Sequence, residues 1–161
     1  MSQTKKVHCI AGCCTLDIRD YISTNLITKN KCGRKAGCLL YDKYEDAVLL
    51  IQSRGNLWGA PKGSLETGEN YITGAIREVL EETGIEITEN MLGRRITIDD
   101  KSTYFLVDYK KCDVEIQPPN NDNDANSIGW IKTRCLRQFI NNDIIKLTKH
   151  TEMILSHFLD T

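Results

Sequence analysis

The sequence carries almost no net charge, with 21 Lys and Arg against 22 Asp and Glu. A balance of -1 supplies no overall field for a polyanion, so neither DNA nor a membrane surface is an expected partner. Any phosphate site must be local. Long hydrophobic runs are also missing. The polar start MSQTKK and a short apolar stretch broken at Asp17 make a poor leader, and no run is long enough to span a bilayer. A cytoplasmic protein is the expectation. An even set of cysteines is lacking too. The seven, at 9, 13, 14, 32, 38, 112 and 135, point to reduced thiols rather than a disulfide framework. His8, Cys9, Cys13 and Cys14, followed by Cys32 and Cys38, have the side chains of a zinc site. They lack a clean CxxC or HxxxH pairing, so buried or bystander thiols are expected.

Internal repeats and low-complexity linkers are absent as well, and 161 residues with 40% hydrophobic content fit one core. Residues 1–33 are the least readable and are expected to be an N-terminal extension packed on a domain of residues 34–161. From there the pattern sharpens. "KAGCLLYD" and "DAVLLIQSR" read as strands joined by a polar turn at 43–45. "LWGAPKG" is punctuated by Gly and Pro. Residues 70–83 read as a helix with an apolar stripe of Ile72, Ala75, Ile76, Val79 and Leu80, stopped by Gly84. "RRITID", "STYFLVDY" and "SIGWIK" add strands, and residues 143–159 read as an amphipathic helix with Ile144, Leu147, Ile154 and Phe158 near one face. Strands and helices in this order imply an α/β (α+β) sandwich, a mixed β-sheet between helices.

The stretch "GSLETGENYITGAIREVLEETGI" holds five carboxylates and one arginine. Glu78, Glu81 and Glu82 share an arc of about 100° on the helix, away from the apolar stripe. Like charges at that spacing weaken a helix by a few tenths of a kcal/mol per pair. A solvated charged face is the simplest account. Against it, only Arg77 is close in sequence to relieve the repulsion, and the preceding segment holds Gly59, Gly63 and Gly68. Carboxylates beside backbone that permits close approach are what a hard divalent cation such as Mg²⁺ or Mn²⁺ needs.

These residues carry a resemblance. Gly63, five residues, Glu69, seven residues, Arg77-Glu78-Val79, one residue, Glu81-Glu82, one residue and Gly84-Ile85 is similar, position by position, to the Nudix box. Seven fixed positions at roughly one chance match in fifteen each give ~10⁻⁸. The resemblance implies a Nudix fold and hydrolysis of a nucleoside diphosphate linked to another moiety. It implies that Glu78, Glu81, Glu82 and the Gly63 carbonyl hold Mg²⁺ or Mn²⁺, that Arg77 orients the glutamates, and that Glu69 supports the loop–helix geometry. Lys62, just before the box, is placed to touch phosphate.

Substrate choice lies outside the box. "WGAPKG" resembles diadenosine tetraphosphate hydrolases and also the mRNA-decapping and diphosphoinositol-phosphate branches. "STYFLVDYKKCDVEI" and "SIGW" look most like the first of these. That comparison puts Tyr104 at a substrate-facing position, the alternative being a core aromatic. Asp124, six residues before Trp130, stands where such enzymes often carry a glutamate that binds metal or acts as base. The departure leaves the general base open among Asp124, Asp122 and Glu78. Trp58 and Arg54 could stack on a base or pair with phosphate, and Trp58 suits a core equally well. The expected substrate is a nucleotide-capped polyphosphate, either a dinucleoside polyphosphate or a capped RNA 5′ end. The alternatives are a diphosphoinositol polyphosphate, for which Lys31, Arg34, Lys35, Arg94 and Arg95 are candidate contacts, and an oxidised nucleoside triphosphate. A further alternative is a nucleotide-binding module without turnover.

Overall fold

The computed structural model describes residues 3–19, 33–53, 57–118 and 125–159. Its first element is an antiparallel hairpin, β1 (Thr4–His8) with β2 (Thr15–Arg19). Then follow β3 (Lys35–Asp42), β4 (Ala47–Gln52), β5 (Leu57–Gly59), β6 (Lys62–Ser64) and α1 (Tyr71–Thr83). After a 3-10 turn at Glu89–Met91 come β7 (Leu92–Ile98), β8 (Ser102–Asp108), β9 (Ser127–Lys132), α2 (Thr133–Asn141), β10 (Lys146–Leu147) and α3 (Lys149–Leu159).

Strands β10-β5-β4-β3-β8-β7 lie side by side, with β6 also paired to β3 and β9 to β4. The sheet is mixed: β3 runs parallel to β8 and antiparallel to β4. Its residues alternate between two cores, as the two-residue period of a strand requires. Leu39, Val48 and Leu50 face Leu136, Phe139, Ile154 and Phe158 of α2 and α3. Ala36, Cys38, Leu40 and Leu49 face Ala75 and Val79 of α1. The expected sandwich of a mixed sheet between helices is what forms. Both faces are covered, so β3 and β4 read as nearly continuous apolar runs.

Two expectations need correction. Residues 143–159 are not one helix. Asp143 takes φ 55, Lys146–Leu147 pairs with β5, and α3 begins only at Lys149, where Thr148 Oγ1 accepts from the Thr151 amide. Ile144 consequently lies outside the helix and is exposed. Helix α2 had no counterpart in the sequence reading, although its Cys135, Leu136 and Phe139 are buried at helical spacing. Residues 3–19, unreadable by pattern, form the hairpin. Its Leu16 is buried and packs where a Cβ on Gly129 of β9 would collide with it.

Candidate active site

Helix α1 is fixed at both ends by its own sequence. The Asn70 side chain accepts from the Thr73 amide at 2.8 Å, closing the N-terminus. Gly84 at φ 75 ends it, its amide reaching the Leu80 carbonyl. With Ala75 and Val79 against the sheet, Glu78 and Glu82 fall on the side turned toward β6, and both are buried, Glu78 at 1% and Glu82 at 6% exposure.

Arg77 is the organising cation. Its Nε and Nη2 donate to the two oxygens of Glu69 at 2.8 Å each, a bidentate pair. Nη1 donates to Glu78 at 2.8 Å and to Glu81 at 3.2 Å, and Nη2 also reaches the Ser64 carbonyl at 3.0 Å. Glu69 in turn accepts from the Glu66 amide, tying the loop to the helix. The hydrogen bonds from Arg77 hold the Glu69 carboxyl below the ordinary carboxylate value, against the opposing effect of burial. The same partner raises Arg77. The Lys62 amide donates to Glu82 at 3.1 Å, so β6 contacts the acidic helix through its backbone.

Gly63 lies directly against the Glu78 carboxylate, and a Cβ there would overlap it. That contact requires glycine. It brings the β6 backbone directly against the Glu78 carboxylate, with Glu78 and Glu82 both buried. The Arg77 guanidinium is shared among Glu69, Glu78 and Glu81. Carboxylates are hard oxygen donors, and a cluster of them fits Mg²⁺ or Mn²⁺.

Both aromatics take the core alternative rather than the substrate-facing one. Trp58 is 1% exposed and sits in the core beneath α3, so neither ring face is open to a base. Tyr104 is wholly buried, and its hydroxyl meets His150 Nδ1 at 2.8 Å. Period-2 placement on β8 turns it inward. Tyr104 still lies near the acidic set, because burial and then the charge of Glu82 raise its phenol. His150, which the sequence reading missed, therefore joins the site's edge. Burial, then Lys62 and Lys35, push its imidazole toward the neutral form. No local signal pointed to it, since it meets Tyr104 across 46 positions. Arg94 is engaged elsewhere, donating to the Phe158 carbonyl at 3.0 Å. The expectations for Arg54, Asp122, Asp124 and Lys31 lie outside the described residues.

Comparison with known proteins agrees with this geometry. The NUDIX domain family matches residues 32–149. The 111R protein of Invertebrate iridescent virus 3 is 30% identical over 80% of this chain and 78% of its own length. The m7GpppN-mRNA hydrolase dcap-2 of Caenorhabditis elegans is 32% identical over 60% of this chain and 13% of its own. The asymmetrical bis(5′-nucleosyl)-tetraphosphatase of Rattus norvegicus is 35% identical over 43% and 54%. Among solved structures, a bifunctional NMN adenylyltransferase/ADP ribose pyrophosphatase of Francisella tularensis, complexed with AMP and a Mn ion, aligns with a TM-score of 0.58. It is 24% identical, over 83% of this chain and 42% of that one. The chain belongs to the Nudix family of hydrolases. It matches only parts of the decapping and tetraphosphatase relatives, 13% and 54% of their lengths. Among the described residues, no helix is long and apolar enough to cross a membrane.

Proposed function

We propose that this protein hydrolyses a phosphoanhydride bond in a nucleotide-capped polyphosphate, a dinucleoside polyphosphate or an RNA 5′ cap. The observation that carries the reading is the acidic cluster itself, with Glu78 and Glu81 bonded to Arg77, Glu82 accepting from the Lys62 amide and Glu78 lying against Gly63. Glu78, Glu81, Glu82 and the Gly63 carbonyl would hold Mg²⁺ or Mn²⁺. Such a cation neutralises charge on bridging phosphate oxygens and makes a water more acidic.

The chain's own groups divide the remaining work. Arg77 keeps the carboxylates in one orientation, so they need not reorganise when substrate binds. Lys62 and Lys35, near His150 at the edge of the site, supply positive charge for the phosphates beyond the metal. His150 and Tyr104 hold that edge by their mutual hydrogen bond. Asp124, in the Asn/Asp-rich segment 117–126, is our proposed proton acceptor from the attacking water. Asp124→Asn is expected to lower kcat far more than Asp122→Asn. Equal and small effects would assign the step to Glu78.

With Trp58 and Tyr104 buried, two aromatic faces no longer favour a nucleotide over an inositol phosphate. The likeness to a decapping hydrolase and to a bis(5′-nucleosyl)-tetraphosphatase supports the nucleotide reading instead. Its test is a panel of diadenosine tetraphosphate, capped RNA, a diphosphoinositol phosphate and 8-oxo-dGTP at equal Mg²⁺, with products identified by mass. Higher kcat/KM for either of the first two is expected. Preference for the inositol compound would replace the proposal.

A further inference from the structure

Apart from the acidic helix, the described residues contain one converging group of metal-ligating side chains. The Sγ atoms of Cys9, Cys13, Cys14 and Cys135 all lie within 4.8 Å of one another. Three come from the turn between β1 and β2, which is closed by Cys9 N–H to Cys14 O and Gly12 N–H to Cys9 O, both 3.0 Å. Gly12 takes φ 73 there, so the turn folds back tightly enough to aim its sulfurs together. The fourth stands in the first turn of α2, 122 positions from Cys13.

We propose that these four cysteines bind one zinc ion as a structural tetrathiolate centre that fastens the N-terminal hairpin to α2. A tetrahedron with Zn–S bonds of about 2.3 Å has S···S edges of ~3.8 Å. Cys9–Cys13 at 3.5 Å and Cys13–Cys135 at 3.4 Å are close to that edge. They are well outside the ~2.05 Å of a disulfide, and all four cysteines are free. Core packing accounts for a single buried thiol, since cysteine behaves as a small hydrophobe. It does not account for four sulfurs converging from two distant segments, one of them on the exposed Cys13.

The surroundings suit thiolates. The Cys14 amide donates to Cys9 Sγ at 3.3 Å, and the Lys132 amide to Cys14 Sγ at 3.4 Å. The Arg134 guanidinium approaches Cys13 Sγ at 3.8 Å. On binding, four S–H protons pass to solvent and the Zn(Cys)₄ unit carries two negative charges, which these donors partly offset. Soft sulfur ligands select zinc over the hard cation suited to the glutamates. The centre lies beside α2 on the opposite face of the sheet from α1, so it is separate from the hydrolytic site.

The ligand set corrects the sequence expectation. His8 is not a member, since its Nδ1 bonds Thr15 Oγ1 at 3.0 Å. Cys38 is buried in the other core, its thiol pushed up to about 12 by burial. Cys112 is exposed and apart, and Cys32 lies outside the described residues.

The test is elemental analysis of the full chain, purified under reducing conditions with stoichiometric Zn²⁺ supplied and excess removed. About one zinc per chain is expected. Co²⁺ in its place should give sulfur-to-metal charge-transfer bands and the intense visible bands of a tetrahedral site. Cys135→Ser and Cys13→Ser should lose the metal, while Cys112→Ser and Glu82→Gln should keep it. The Glu82→Gln arm separates this centre from the hydrolytic metal, whatever the substrate proves to be. Zinc well under one equivalent in the unaltered chain would overturn the proposal, whether or not the variants fold. So would full zinc in Cys135→Ser, iron in place of zinc, or a mass lower by two hydrogens showing a disulfide within the set.

Discussion

Single residues decide the acidic site. Glu82 is buried, accepts from the Lys62 amide and shares a helical face with Glu78. Glu82→Gln keeps the shape but removes a charge, so kcat should fall on the order of 10²–10⁴ with the thermal midpoint nearly unchanged. Gly63→Ala tests the same cluster from the β6 side. Its Cβ would displace the Glu78 carboxylate, so weaker metal binding and lower activity should appear together in a Mn²⁺ titration. An alanine variant with unaltered metal affinity would mean that the Gly63–Glu78 contact does not shape the site. These residues were singled out by the resemblance of their spacing to the family's box, and the shared face of Glu78 and Glu82 follows from the helical period. Tyr104 and Trp58 were not legible in the same way. An aromatic in a strand looks alike whether its face is turned to substrate or to core, and only the packing of α3 decides.

At the scale of elements, the end of α1 was readable at Gly84, a stop written in the local sequence, while Asn70 proves to cap the helix from just outside it. Asn70 offers an acceptor to an amide left unpaired by the first turn, and Gly84 takes a left-handed conformation. Asn70→Ala should cost about 1 kcal/mol of stability by denaturant unfolding, with the slope against denaturant unchanged. Gly84→Ala should cost a similar ~1 kcal/mol or more, since its new methyl would also meet Gln117 at a left-handed backbone position. The boundary of α3 was misread for a comparable reason. Residues 143–148 hold an apolar pattern, but Leu147 is buried by pairing with Trp58 in a strand rather than by a helical stripe. Helix α2 is only nine residues long, too short for periodicity to stand out.

The whole molecule responds to acid through its paired carboxylates. Glu69, held down by Arg77, Asp42, held down by backbone amides beginning with Lys111, and Asp46, held down by Thr133 and Tyr41, all sit below their ordinary values. A carboxyl lowered in the fold contributes stability above its unfolded value. That contribution is lost as pH falls through the lowered value. The thermal midpoint should therefore be steady around neutrality and drop once pH passes below the ordinary values of 3.8 to 4.5. In Glu69→Gln the neutral midpoint should be lower and the acid drop shallower. A parallel curve displaced at every pH would show that the Glu69 charge does not carry the effect.

By itself the sequence determined the acidic box, the helix that bears it, most strands and the mixed-sheet architecture. Each of these follows from interactions within a few residues or from a two- or 3.6-residue period. Tertiary structure alone decided which aromatics face inward, how His150 reaches Tyr104, and how a hairpin at residues 4–19 meets the start of α2. Cys13 and Cys135 illustrate the difference. Their sulfurs lie 3.4 Å apart because β9 and β2 pack together, a contact that no local spacing encodes.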